Sequence, residues 1–142
     1  MDKEVIAFYC EDVDFSLEDK DNLREWLLEV VRTENKTISS LDYIFCSDQH
    51  LLEINKKYLD HDYYTDIITF PLNTDPIESN VFISIDRVKE NAQLYNQSFI
   101  DELHRVIVHG LLHMIGYNDK TQEDEFQMRE KENSYLQLRS FV

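Results

Sequence analysis

Two histidines four positions apart are followed by a glycine and an aspartate, in the order His109, His113, Gly116 and Asp119. On a helix, side chains four positions apart lie on the same face, so both imidazoles can reach one metal ion. Gly116 can adopt the left-handed conformation that ends a helix. The chain then turns back, and Asp119 can supply a third ligand. Because three protein ligands leave a fourth position for water, the pattern predicts a catalytic metal site rather than a closed structural one.

The length and the glycine content limit the possible folds. The chain has 142 residues and only two glycines, Gly110 and Gly116, which both lie in the histidine segment. We expect one domain over residues 1–142, because this length is enough to bury a hydrophobic core without disulfides. A hydrophobic content of 42% predicts a globular chain. Cys10 and Cys46 have no metal-type spacing, so we expect two reduced thiols.

Apolar periodicity predicts an α+β domain, in which a small mixed four-stranded sheet packs with helices and the metal site lies at the end of a central helix. The strands are predicted at 4–9, 38–46, 66–70 (ended by Pro71) and 81–85. A loop is predicted at 73–79, which contains Pro76. Helices are predicted through 23–31, 51–58, 88–95, from 98 through the histidine segment, and from 121 to about 138. The expected helix caps are Asp14 or Ser16, Ser47–His50, Asp86, Ser98 and Thr121.

The histidine segment differs from a peptidase motif at two positions. The metzincin pattern is H-E-x-x-H-x-x-G-x-x-H, and Gly110 stands here in place of its catalytic glutamate. Asp119 replaces the third histidine, and aspartate is a competent zinc ligand. Because the general base of the peptidases is missing, an ordinary metalloprotease is not expected.

The segment instead resembles the signature of the YbeY family of bacterial rRNA-maturation endoribonucleases, H-G-x-L-H-x-x-G-[YH]-x-[HD]. The matching residues are His109, Gly110, Leu112, His113, Gly116 and Tyr117. Asp119 occupies the position of the third ligand, which is usually histidine. Residues 52–58 and 65–71 resemble the L-N-x-x-Y-R…T-[DN]-V-L-S-F-P segment of the family, and 81–92 resemble its next strand and helix. The similarity extends over roughly residues 45–130.

The resemblance implies a zinc-dependent, single-strand-specific endoribonuclease of ribosomal RNA maturation, notably at the 3′ end of the small-subunit species, and of ribosome quality control. It implies one Zn²⁺ held by His109, His113 and Asp119, which would act in catalysis through the metal. Two histidines and one aspartate also suit other divalent transition metals. The implied partner is ribosomal RNA or the small ribosomal subunit.

One position departs from the family pattern. An arginine commonly follows the tyrosine of the middle segment, and here the residue is Leu59. If that arginine contacts phosphate, another cation must replace it, and the candidates for substrate binding are Lys56, Lys57, His61 and Arg105. Asp66 is a candidate for proton handling or for orienting a ligand, although a role as a helix cap or at the strand end is equally open. Tyr117 is open to either substrate contact or packing.

The net charge of −15 is unusual for a protein that binds nucleic acid. Several basic residues fall in the middle of the chain, so a local basic rim stays possible. Two alternatives therefore remain open. One is a metal-dependent hydrolase of a peptide or small molecule. The other is a ribosome-biogenesis binding factor with a mainly structural metal, because an acidic surface suits basic partners such as ribosomal proteins.

The sequence also predicts where the protein acts. The first residues have no export-signal pattern, and no apolar run approaches the length of about 18–20 residues that a membrane span requires. We therefore expect a cytoplasmic protein that contacts no membrane.

Overall fold

The computed structural model describes residues 5–142, which form a mixed sheet and five helices. The strands are β1 (Ile6–Cys10), β2 (Ile38–Cys46), β3 (Ile67–Thr74) and β4 (Ile77–Ser84). The helices are α1 (Lys20–Thr33), α2 (Asp48–Leu59), α3 (Ile85–Leu94), α4 (Phe99–Ile115) and α5 (Gln122–Gln137). The predicted α+β fold with four strands is confirmed. Glu4, where the first strand was predicted to begin, lies outside the described residues.

The sheet has the strand order β1-β2-β4-β3. The β1–β2 and β2–β4 pairs are parallel, whereas β3 and β4 form an antiparallel pair at one edge. Alternate residues of β4 face opposite sides: Val81 and Ile83 join the main core with α1, α4 and α5, whereas Phe82 packs with α2 on the other side. The sheet therefore separates α4, which carries His109 and His113, from α2.

Gly110 allows α4 to approach the sheet closely. A Cβ atom at this position would lie 3.1 Å from Ile67 Cδ1 and 3.1 Å from Val81 Cγ1. Three positions before Gly110, the carbonyl oxygen of Ile107 accepts a 2.7 Å hydrogen bond from Tyr43 Oη of β2. This bond fixes α4 on β2. The glycine of the motif thus serves packing, and the close approach brings His109 next to the start of β3.

Two predictions about β3 and β4 are wrong. Pro71 lies inside β3 instead of ending the strand, and residues 73–79 are not a loop but the two strand ends and the turn of a β3–β4 hairpin. Proline is tolerated because β3 is an edge strand with β4 as its partner on one side. The pairing shifts register between Pro71 and Asn73, so the ladder accommodates the missing N–H group locally.

Three predicted helix caps are confirmed. The side-chain oxygens of Ser47, Ser98 and Thr121 each accept the backbone N–H of the residue three positions later. Thr121 also forms a full capping box with Asp124. These caps fix the beginnings of α2, α4 and α5.

The other two cap predictions are wrong. Neither Asp14 nor Ser16 caps α1, which begins after Asp19, a residue with a φ of 60° and no side-chain cap bond. The cap of α3 is Ser84 rather than Asp86. The Asp86 carboxylate instead accepts the backbone N–H of Asp48, at 2.9 Å, and thereby links the first turns of α2 and α3.

Cys10 and Cys46 are both free thiols, 36 positions apart in sequence; Cys10 is exposed and Cys46 is buried. Within residues 5–142, none of the helices combines the length and the apolar character needed to cross a membrane.

Candidate metal centre

The end of α4 and the turn after it form the candidate metal centre. Ser98 caps the beginning of the helix, and Gly116, with a φ of 125°, ends it. The Gly116 N–H donates to the carbonyl oxygens of Leu112 and His113, at 3.1 Å each. A residue with a Cβ atom would be strained at this φ, so glycine is what lets the chain leave the helix and return towards its last turn.

The turn brings Asp119 against both histidines. Its Oδ2 atom lies 3.2 Å from His113 Nε2 and 3.5 Å from His109 Nε2. One ligand atom from each of the three residues lies within 4.8 Å of the others. Two imidazole nitrogens and one carboxylate oxygen suit a divalent transition metal, and the side chains are partly exposed, which leaves room for water or substrate. The three residues predicted as ligands are thus neighbours in space.

Glu132 of α5 contacts the side of His109 that faces away from Asp119. The His109 Nδ1 atom donates to Glu132 Oε2 at 2.7 Å, which leaves Nε2 free to bind a metal. Burial alone would lower the pKa of His109, but the contacts with Glu132 outweigh burial and raise it. Burial opposes ionisation of Glu132 as well, yet His109 and Arg105 hold its pKa below the ordinary value.

Sequence reasoning missed Glu132 because it lies 23 positions after His109, in a helix that is mostly charged. One pattern could have indicated it. The buried residues of α5 are spaced as one helical stripe, and Glu132 is the charged member of it: Met128, Glu132, Tyr135 and Leu136. A carboxylate in an apolar stripe needs a partner when it is buried.

Arg105, predicted as a substrate-binding cation, lies one turn before His109 and points to α5. Its Nη1 atom donates to Glu132 Oε1 at 2.7 Å, and its Nη2 atom donates to Asn133 Oδ1 at 2.8 Å. Two of its donors are therefore used inside the protein. Arg105 holds the carboxylate that in turn holds His109.

The structure does not bring the other three predicted cations to the metal-ligand group. Lys56 pairs with Asp62 at 3.4 Å. Lys57 lines a groove of about 470 Å³ between α2 and the opposite side of the sheet. The His61 ring stacks on Tyr63 and accepts or donates a 3.0 Å hydrogen bond at Nδ1. None of these residues lines the cleft described next.

A cleft of about 530 Å³ opens over the three candidate ligands, between the end of α4 and the beginning of β3. We call it the metal cleft; it also contains Thr65, Asp66 and Met114. Asp66 lies just before β3, and burial raises the pKa of its carboxyl group, although His109 opposes this shift. Asp66 and the two histidines therefore line the same cleft, and the role of Asp66 in proton handling stays a prediction.

Tyr117 packs away from the cleft and anchors the turn. Its hydroxyl donates to Glu34 Oε1 at 2.8 Å, and Glu34 also accepts hydrogen bonds from Tyr135 Oη and, at 3.1 Å, from Lys131 Nζ. This Glu34 cluster joins the end of α1, the Gly116–Asp119 turn and α5. Sequence reasoning missed it because its members are 83 to 101 positions from Glu34.

We expect Glu34→Gln to lower the free energy of unfolding at neutral pH by about 1–2 kcal/mol, because a carboxylate with three donors loses its charge. Burial raises the pKa of Glu34, but the three hydrogen bonds outweigh it and hold the pKa below 4.5. This stabilisation is complete above the unfolded-state pKa and is lost as the pH falls through the folded-state pKa. Urea unfolding of both proteins between about pH 7 and pH 4 should show the difference shrinking with acidification.

The matched control is Glu29→Gln, which removes a more exposed carboxylate of α1 that pairs with Arg32 at 3.0 Å. It should change the unfolding free energy by less than about 0.5 kcal/mol. A Glu34→Gln effect that stays constant with pH would contradict the charged state assigned to the cluster.

The chain is similar to proteins of one family over nearly its whole length. The family model described as "Endoribonuclease YbeY" matches residues 6–139. A relative of that name from Cytophaga hutchinsonii is 51% identical over 144 residues, which cover 99% of this chain and 100% of the relative. Another from Flavobacterium psychrophilum is 44% identical over 135 residues, with coverage of 94% and 96%.

A solved structure also matches the fold. The solution structure of a protein from Thermotoga maritima superposes with a TM-score of 0.67 and 30% sequence identity, and the match covers 93% of this chain and 87% of that chain. The resemblance that the histidine segment and the middle segment indicated is therefore confirmed.

Proposed function

The chain belongs to the endoribonuclease YbeY family, and on that premise we propose that it cleaves single-stranded segments of ribosomal RNA. Its place would be the maturation of the 3′ end of small-subunit rRNA and ribosome quality control, in the cytoplasm. The observation that supports this proposal is the convergence of His109, His113 and Asp119 below an open cleft. The cleft has a volume of about 530 Å³ and is open to solvent, whereas the motif lacks the glutamate of peptidases.

We propose that these three residues hold one zinc ion. The donor set fits zinc and also suits iron, nickel or manganese. When bound, the metal would polarise a phosphoryl oxygen and lower the pKa of a bound water. Asp119 would reduce the net charge at this position compared with the histidine usual in the family.

The protein side chains would orient the ligands and move protons. Glu132 accepts the Nδ1 proton of His109 and so presents the Nε2 lone pair to the cleft. We propose that Asp66, at the wall of the same cleft, accepts or returns a proton during cleavage, because it lies within the cleft and burial raises the pKa of its carboxyl group.

The substrate-binding residues are a separate part of the proposal. Arg105 would act on RNA only indirectly, because its guanidinium is engaged with Glu132 and Asn133. Binding of RNA by Lys56, Lys57 or His61 stays a prediction, and it would concern a part of the substrate beyond the metal cleft. Basic ribosomal proteins are further candidate partners, since a chain with a net charge of −15 attracts positive surfaces.

A pair of substitutions at Asp119 tests this function. We expect the wild-type protein to contain about one equivalent of zinc and to cleave a single-stranded RNA that carries an unprocessed 3′ end of the small-subunit species. Asp119→Ala should lose most of the metal and the cleavage, because two protein ligands remain. Asp119→His should retain both, because histidine supplies a nitrogen from the same turn.

Elemental analysis, an RNA cleavage assay and a casein assay would be run on the same preparations. Equal zinc content in wild type and Asp119→Ala would contradict the assignment of Asp119 as a ligand. Zinc without RNA cleavage, together with binding to small ribosomal subunits, would favour the binding-factor alternative. Hydrolysis of casein above background would favour a peptidase.

A further inference from the structure

A smaller pocket adjoins the metal cleft on the side of α3 and α5. Its volume is about 160 Å³, and Asp66 and His109 line both spaces. Tyr95, at the end of α3, and Glu102, in the first turn of α4, form two of its other walls. A group seated in this pocket would therefore lie next to a substrate phosphate at the metal ligands.

Glu102 is a buried carboxylate that the proposed reaction does not use. It is 5% exposed, yet across residues 5–142 its side chain has neither a hydrogen bond nor an ion pair. In this part of the chain, every side-chain oxygen or nitrogen that is fully shielded from solvent has a hydrogen-bond partner. Because the Glu102 oxygens have no such partner, they are accessible, and they open into the pocket that Glu102 lines. A buried carboxylate without a protein partner is costly unless a ligand or water supplies donors.

The neighbouring carboxylate, Glu132, does have hydrogen-bond partners in the protein. Glu132 receives hydrogen bonds from both Arg105 and His109. Those two donors face α5, and neither reaches Glu102 within hydrogen-bond distance. The pocket therefore presents an acceptor that is free to bind the N–H or O–H groups of a ligand.

Tyr95 supplies a flat apolar surface beside this acceptor. It is 57% exposed although it lines the pocket, and it caps the end of α3 through its backbone. Exposed tyrosine rings next to a nucleic-acid site stack on unpaired bases, and such stacking depends little on charge. The chain has a net charge of −15 and carries Leu59 where the family commonly has an arginine. A stacking contact suits such a chain because it binds RNA without a positive charge.

We propose that this pocket, the base pocket, receives one unpaired nucleobase of the RNA substrate next to the phosphate at the metal ligands. Tyr95 stacks on the base, and Glu102 accepts a hydrogen bond from its exocyclic amino group. Cytosine, adenine and guanine carry such a group and uracil does not. The inference rests on the proposed RNA substrate, and it adds a binding pocket for one base and a preference against uracil.

Oligocytidine and oligouridine test the preference directly, because the two bases have the same size and differ at the group that Glu102 would contact. Binding of fluorescein-labelled oligomers would be measured by anisotropy in a His113→Ala background, where cleavage does not interfere. We expect oligocytidine to bind about tenfold more tightly, as for a hydrogen bond to a charged acceptor. Glu102→Gln should bring the ratio of the two affinities close to one, mainly by weakening oligocytidine binding.

Tyr95 is tested by two further variants and a matched control. Tyr95→Leu should weaken both oligomers by about tenfold, whereas Tyr95→Phe keeps the ring and should bind like the parent. Tyr9→Leu removes a tyrosine that is 53% exposed on β1 and outside the pocket, so it should change neither affinity. An equal loss in Tyr95→Phe would overturn the stacking role.

Two results would overturn the base pocket: equal affinity for both oligomers in the parent, or an unchanged ratio in Glu102→Gln. Cleavage of the same RNAs by wild type is measured in parallel. If the parent binds oligocytidine more tightly than oligouridine but wild type cleaves no RNA, the pocket is supported and the proposed function is refuted. If wild type cleaves RNA but the parent binds both oligomers equally, the proposed function is supported and the pocket is refuted.

Discussion

His113→Ala should reduce the kcat for RNA cleavage by at least about a thousandfold and remove the bound metal. The substitution leaves His109 and Asp119, and two protein ligands hold a divalent ion poorly. A bound metal contributes several kcal/mol of charge stabilisation in hydrolytic transition states, and each factor of ten in rate corresponds to about 1.4 kcal/mol. Because the His113 side chain is partly exposed and lies outside the core, the fold should persist.

The measurements are zinc content by elemental analysis, cleavage rate and thermal unfolding, all on one preparation. His50→Ala is the matched control: His50 also pairs with a carboxylate, at 3.0 Å from Glu11, but it lies on α2 on the other side of the sheet. It should keep both metal and activity. A His113→Ala protein that is folded, metal-bound and active would refute the metal centre.

The grouping of the three candidate ligands was predictable because most of its geometry is local. His109 and His113 are related by one helical turn, and Gly116 and Asp119 follow within six positions of the second histidine. Helical periodicity and the conformational freedom of glycine are sufficient to place these four residues together. The caps at Ser47, Ser98 and Thr121 were predictable for the same reason, since each bond spans three residues.

The hairpin was mispredicted because its stability depends on strand position. Pro71 and Pro76 are strong local indicators of a strand end and a loop. What decides the outcome is that β3 lies at the edge of the sheet, and no local pattern reveals that order. The strand predicted from Asp66 is present as β3, which begins at Ile67, but its continuation to Thr74 depends on pairing with β4.

The residues that support the ligands were missed because they come from distant parts of the chain. Glu132 lies on α5 and Glu34 at the end of α1, and both meet the site only after the helices pack. Lys56, Lys57 and His61 show the converse, because nearness in sequence does not bring them to the cleft; their binding to RNA stays a prediction. They are close in sequence to the family's arginine position, yet the fold places them around α2, away from the metal cleft.

Glu132→Ala should have the second-largest effect, on metal affinity and on stability, because it removes the carboxylate that both His109 and Arg105 contact. His109 would lose the acceptor that orients its ring, which typically costs 10- to 100-fold in metal affinity. Arg105 would become a largely buried cation without its main counter-charge, since its side chain is 18% exposed and that of Glu132 is 6% exposed. Breaking such a pair costs about 3–5 kcal/mol of stability.

Metal affinity by chelator competition and stability by urea unfolding separate the two roles. Glu130→Ala is the matched control, an exposed glutamate of the same helix, and should change neither quantity. Combining Glu132→Ala with Arg105→Ala should recover part of the lost stability, because it also removes the uncompensated cation. The double variant should still bind metal weakly, since nothing replaces the acceptor on His109. Recovery of both quantities would mean that Glu132 serves only to neutralise Arg105, whereas recovery of stability alone would establish that it orients the metal ligand.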